Sequence, residues 1–152
     1  MGWEVHLDDT NWTGTIGTWG SGVWTSSGGQ ILLQEAGTWV EGYRPTKVKV
    51  THTLDVSKDL QLRVRNSDGT VTYGTNSDYT SDAELNLTYS PDGDIGRLYA
   101  TNMTDTTNFT VTNIQFYAEA TGWTHKFMGV ANASIAEILG VAKASVAKVI
   151  GI

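Results

Sequence analysis

From Lys47 the chain alternates apolar and polar residues with a period of two. Val48, Val50, His52, Leu54 and Val56 fall on one parity, Lys47, Lys49, Thr51, Thr53 and Asp55 on the other. Only extended backbone puts successive side chains on opposite faces, so the segment predicts a strand with one buried and one wet face. The pattern recurs downstream. Leu60, Leu62 and Val64 alternate with Gln61, Arg63 and Arg65, and Ser67-Asp68-Gly69 supplies a turn into Thr70–Tyr73, which predicts a hairpin. Ala83, Leu85, Leu87 and Tyr89 make another strand, closed by Pro91-Asp92-Gly93, and a further strand is expected over Arg97–Met103. In the last, Asn108 to Glu119, Phe109 and Val111 share one parity and Ile114 and Phe116 the other, which predicts a bulge near Thr112-Asn113.

Residues 1–45 are rich in Trp, Gly, Ser and Thr, with short apolar runs such as Ile31-Leu32-Leu33, and predict brief strands between glycine turns. About seven or eight strands, each with one apolar face, need a second sheet to cover them. The expectation is a mostly β chain: a jelly-roll-like antiparallel β-sandwich over 1–120. A chain of 152 residues can bury a core large enough to hold such a fold, and without a single Cys it does so by packing alone.

The net charge of −6 argues against a phosphate backbone as partner, since nucleic acid is bound chiefly through Lys and Arg that displace counterions. Met1-Gly2-Trp3-Glu4-Val5-His6 has neither a basic run followed by an apolar one nor the Ser or Thr that myristoylation wants at His6. No stretch reaches the length of a membrane-spanning helix. The chain therefore reads as made in a cytoplasm, with no membrane and no nucleic acid among its partners.

After Thr121-Gly122-Trp123 the composition turns to Ala, Val, Ile, Gly and Lys, and an 11-residue repeat begins. Residues 127–137 align with 138–148 at six identical positions of eleven, and Val149-Ile150-Gly151-Ile152 opens a third copy. Within a copy, Ser134 and Glu137 have capping-box spacing, Ile135, Ile138 and Leu139 have helical spacing, and Gly140 sits at a C-cap. A short helical tail over 121–152 is expected, each copy closed by glycine. Such helices cannot stand alone in water, because nucleation is costly and their apolar stripes need a partner. An assembly interface is expected through Trp123, Phe127, Met128, Val130 and Ile135, continuing through Ile138, Leu139, Val146, Val149 and Ile150.

Trp123-Thr124-His125-Lys126, followed by copies of Gly-Val-Ala-x-Ala-Ser-Ile/Val-Ala-x, resembles the C-terminal repeats of bacteriophage virion structural proteins. Those repeats usually carry Asn before the glycine, where this chain has Met128, Leu139 and Ile150, so its tail is more apolar. The resemblance covers the tail and implies a non-enzymatic virion protein made in the host cytoplasm. Its first role would be capsid decoration or head fibre, in a homo-oligomer such as a trimer and with other virion proteins as partners. A tail component is the nearest alternative.

A different class of function is carbohydrate binding at a host surface, with Trp19, Trp24, Trp39, Tyr73 or Tyr79 stacking on sugar faces of a surface polysaccharide. A more distant one is DNA binding by the tail. Ala136, Gly140 and Val146 have helix-turn-helix spacing, with Ile135, Leu139 and Val149 as the core, but the repeat already generates that spacing and the second helix offers alanines to base edges. Asp8-Asp9-x-Asn11 and Asp92-Gly93-Asp94 read as turn formers and His6, His52 and His125 are dispersed, so no metal and no cofactor is expected. No motif pairs two of the sixteen acidic residues across a cleft, and no enzyme is expected. His52, alternating with Val50 and Leu54, reads as a hydrogen-bonded core histidine.

Overall fold

The computed structural model describes residues 2–36, 43–88, 95–120, 137–138 and 141–142, and side chains over 2–36, 45–88 and 95–117. Its strands are β1 (Gly2–Val5), β2 (Trp12–Ile16), β3 (Thr18–Gly20), β4 (Val23–Thr25), β5 (Gln30–Glu35), β6 (Tyr43–His52) and β7 (Leu60–Arg65). They continue with β8 (Thr72–Asn76), β9 (Leu85–Asn86), β10 (Arg97–Asn102), β11 (Thr110–Ala120), β12 (Glu137–Ile138) and β13 (Val141–Ala142). Backbone packing divides the chain into two compact units, Met1–Trp39 with Arg44–Glu119, and Val40–Tyr43 with Ala120–Ile152.

The larger unit is a jelly-roll-like β-sandwich. One sheet runs β3-β4-β11-β6-β9, with β1 also on β11, and the other runs β2-β5-β10-β7-β8. The period-two residues do what alternation requires. Leu60, Leu62 and Val64 of β7, Leu98 and Ala100 of β10, and Ile31 and Leu33 of β5 point inward, and meet Val48 and Val50 of β6 and Val111, Ile114 and Phe116 of β11 in one core. Trp12 and Phe116 bring the two sheets together, ring centroids 6.1 Å apart. Buried Tyr79 donates its hydroxyl hydrogen to Ala83 O (2.6 Å) and accepts Val50 N–H (2.8 Å), and burial pushes its phenol up to about 12.

His52 is half-buried and hydrogen-bonded, as expected. Nε2 lies 3.2 Å from Tyr79 O and Nδ1 accepts the Leu54 N–H at 3.2 Å, contacts that a neutral ring protonated on Nε2 satisfies. Burial holds its pKa below the ordinary histidine value, against the Tyr79 carbonyl, which favours the cation. The strand ends here, so Val56, placed by parity on the apolar face, is fully exposed instead. Asp55 starts a turn, its carboxylate accepting the Ser57 N–H at 2.8 Å and its carbonyl the Lys58 N–H at 3.0 Å, and the turn takes Val56 off the sheet.

The phase change in β11 is present. Val111 is buried, and so are Ile114 and Phe116 on the other parity; between them β11 passes from pairing with β4 at Thr110–Val111 to pairing with β1 at Gln115–Ala118. In the tail, Glu137–Ile138 pairs antiparallel with Val141–Ala142, so these four residues, Ile138 among them, are strand where a helical turn closing at Gly140 was expected. The rest of the helical expectation lies outside the described residues.

Candidate functional site

Because inward positions alternate with outward ones, the sheet β2-β5-β10-β7-β8 carries a second, solvent-side pattern. Its outward residues are Gln30, Leu32 and Gln34 of β5, Arg97, Tyr99 and Thr101 of β10, and Gln61, Arg63 and Arg65 of β7, all half-buried or exposed. Register arranges them in three rows across the strands. Arg97 lies opposite Gln34 on one side and Arg65 on the other; Tyr99 lies opposite Leu32 and Arg63; Thr101 lies opposite Gln30 and Gln61. Thr72 and Thr75 of β8 extend the first two rows beyond Arg65 and Arg63. Two rows are separated by two residues of strand, so the ladder runs about 13 Å along the strands.

Tyr99 is the centre of this face. The Arg63 guanidinium lies 5.1 Å from its ring centroid and that of Arg65 5.6 Å, both within cation–π range. Arg63 Nε is enclosed and has no hydrogen-bond partner. Arg65 is held by the hairpin turn, Nε donating to Thr72 Oγ1 (3.2 Å) and a terminal nitrogen to Gly69 O (3.0 Å), and Arg97 Nε donates to Ser67 O in the same turn (3.0 Å). Gly69 has φ +77°, a conformation that favours glycine, and a side chain there would meet the Arg97 guanidinium. Gly96, just before β10, is required for a different reason. A Cβ on it would lie 2.0 Å from Ser67 Cα, so only glycine lets the turn fold against this end of the sheet.

The outer face of the other sheet also carries aromatics, but its lysines are paired. Trp3 lies opposite Tyr117 with ring centroids 5.5 Å apart, and Lys49 Nζ sits 4.4 Å from the Trp3 centroid. Glu84 binds Lys47 at 2.7 Å and reaches Lys49 at 4.0 Å, and the Lys47 contact holds its carboxyl below the usual range. On the Tyr99 face the outward strand positions hold no Asp or Glu. Among the described residues no carboxylate comes within ion-pair distance of Arg63, Arg65 or Arg97. Such a face can offer an aromatic ring, amides and guanidinium donors to a ligand.

Of the aromatic residues singled out from the sequence, the four that the structure describes do not present a ring on this face. Trp24, Tyr73 and Tyr79 are core residues, 3%, 5% and 3% exposed, and present no ring face to a sugar. They are inward because each alternates with a polar or small neighbour on its strand or carries a hydroxyl that the interior satisfies; Trp24 Nε1 donates to Leu7 O. Trp19 is half-buried with its ring 5.4 Å from that of Trp24, so it covers the core. Trp39 lies outside the described residues, as do Trp123, Phe127, Met128, Val130, Ile135, Leu139, Val146, Val149 and Ile150 of the expected assembly interface. Asp8 does form a turn, accepting the Thr10 N–H at 3.0 Å, while Asp92-Gly93-Asp94 lies outside the described residues. The residues that gather at the candidate site, Tyr99 with Arg63, Arg65 and Arg97, carried a readable signal only in part. Alternation places each of them outward, but not which strands are neighbours.

No family model matches this sequence, and no curated protein matches it. Solved structures match it in fold. One is a low-affinity xylan-binding module, CBM86, from the gut symbiont Roseburia intestinalis, with a TM-score of 0.58 and 16% identity over 78% of this chain and 96% of that one. Another is a mutant of a carbohydrate-binding module of family 29, with a TM-score of 0.50 and 10% identity over 88% of this chain and 95% of that one. At such identities the likeness is one of architecture: the chain has a β-sandwich of the kind seen in carbohydrate-binding modules.

Proposed function

We propose that this chain is a non-catalytic glycan-binding module that lays a polysaccharide across the outer face of β2-β5-β10-β7-β8. The observation that carries the reading is the three-row ladder centred on Tyr99, in which an aromatic ring and Leu32 are surrounded by amide, hydroxyl and guanidinium groups. A sugar presents C–H bonds on its ring face and hydroxyls around its edge, and such a surface answers both. The likeness of fold to a xylan-binding module supports the reading and makes xylan the first polysaccharide to try. Affinity electrophoresis of the full chain in gels containing soluble xylan, mannan or β-glucan tests it. Retardation is expected in at least one gel, weakened about tenfold by Tyr99→Ala, the loss of one central contact residue. Mobility unchanged in every gel would sink the proposal.

The tail supports a second statement. Its 11-residue repeat, two full copies and the start of a third, fits a chain that is presented in several copies, and its motif resembles phage virion proteins. We propose that residues 121–152 assemble the module on a virion, as a capsid decoration, head fibre or tail component, where multiple weak sites gain avidity. Light scattering and co-sedimentation with particles lacking the protein, on the full chain beside one ending at Ala120, check this. Loss of assembly with a folded remainder is expected, and unchanged assembly contradicts it.

A further inference from the structure

The charge on the Tyr99 face is not what a neutral glycan needs. The chain has sixteen acidic residues against ten Lys and Arg, yet three of those ten, Arg63, Arg65 and Arg97, share one face whose outward strand positions hold no carboxylate. Arg65 and Arg97 are direct cross-strand partners, so their Cβ atoms are about 5 Å apart, and like charges in that relation repel. Turn carbonyls at Ser67 and Gly69 take one N–H from each. Asp68 in that turn accepts the Thr70 N–H (2.8 Å) and hydroxyl (2.6 Å) on Oδ1 and makes no ion pair with Arg65 or Arg97, although Arg97 is near enough to help lower its pKa.

We infer that the glycan held here is acidic, and that the Arg65–Arg97 row receives a uronate carboxylate. The inference rests on the glycan-binding reading and specifies its ligand. Two guanidinium forks side by side match a planar carboxylate, and an anion between them removes the repulsion that register imposes. The distribution of charge along the ladder selects the kind of acid. Arg65 and Arg97 occupy one end, Tyr99 and Arg63 the middle, and Gln30, Thr101 and Gln61 an uncharged far end. That gradient fits a mostly neutral chain bearing occasional carboxylates. A densely sulfated glycan or a nucleic acid would set charges against the amide end, whose outward strand positions hold no cation.

The test compares the full chain on glucuronoxylan and on the same polymer after its carboxyl groups are reduced to alcohols, with heparin and single-stranded DNA as further ligands. Because the ligand is altered and the protein is not, folding of a variant cannot confuse the result. Reduction is expected to weaken binding about tenfold or more, the worth of one charge-assisted hydrogen bond, and added salt to weaken binding to the acidic polymer alone. Arg97→Gln, checked for a wild-type thermal midpoint, should bring the ratio of affinities for the two polymers close to one, whatever it does to binding overall. Equal affinity for the two polymers overturns the uronate inference and leaves the glycan-binding reading standing. Binding to neither polymer overturns both, and tighter binding to heparin or DNA than to glucuronoxylan overturns the choice of ligand.

Discussion

At the scale of single residues, the candidate site depends on a glycine that touches no ligand. Gly96 donates its N–H to Arg65 O at 2.9 Å and accepts the Glu35 N–H at 2.8 Å, so it ties β10 to both neighbouring strands. The Ser67 backbone packs where its side chain would be. Gly96→Ala must move that backbone, and with it the Ser67 carbonyl that holds Arg97. A loss of about 1–3 kcal/mol is expected from such overpacking, read as a lower urea midpoint with unchanged slope. Gly20→Ala, in β3 with open space around it, is the control and should stay within about 0.5 kcal/mol of the parent. Equal effects at the two positions would contradict the packing described here. Gly96 does not stand out in the sequence: it is one of seventeen glycines, and the approach of Ser67 is a tertiary fact.

At the scale of strands, alternation made much of the fold legible. β7 and β10 alternate as their residues require, the hairpin turn falls at Ser67-Asp68-Gly69, and the phase change in β11 lies between Val111 and Ile114. Legibility failed where local chemistry overrode parity or where apolar content had two uses. Val56 has the right parity but follows a turn nucleated by Asp55, and the 137–142 segment has helical spacing yet pairs as strands at the four residues described. The site was less legible than the fold. Tryptophan draws attention because it is large and rare, yet Trp12 and Trp24 are the residues best able to fill a sandwich core, and they do. Tyr99 sits between buried Leu98 and Ala100, so its outward direction could be read; its arginine neighbours come from β7, more than thirty residues earlier in sequence, and depend on sheet order.

At the scale of the molecule, two sheets share one core and divide the surface unequally. One outer face pairs its lysines with Glu84 around Trp3 and Tyr117, and on the other no carboxylate among the described residues comes within ion-pair distance of the three arginines around Tyr99. In a chain of net charge −6, outward strand positions that hold three arginines and no acid are what the proposed acidic ligand requires. The proposed function rests on that face and not on the sandwich itself, since one fold serves many ligands. The most direct measurement is a titration of the isotopically labelled full chain with soluble glucuronoxylan oligosaccharides, followed by amide and arginine side-chain chemical shifts. Shifts concentrated at Arg63, Arg65, Arg97, Tyr99 and Thr101 are the expected result. Shifts concentrated at Trp3, Lys49 and Tyr117, or none at saturating ligand, would contradict the assignment of this face.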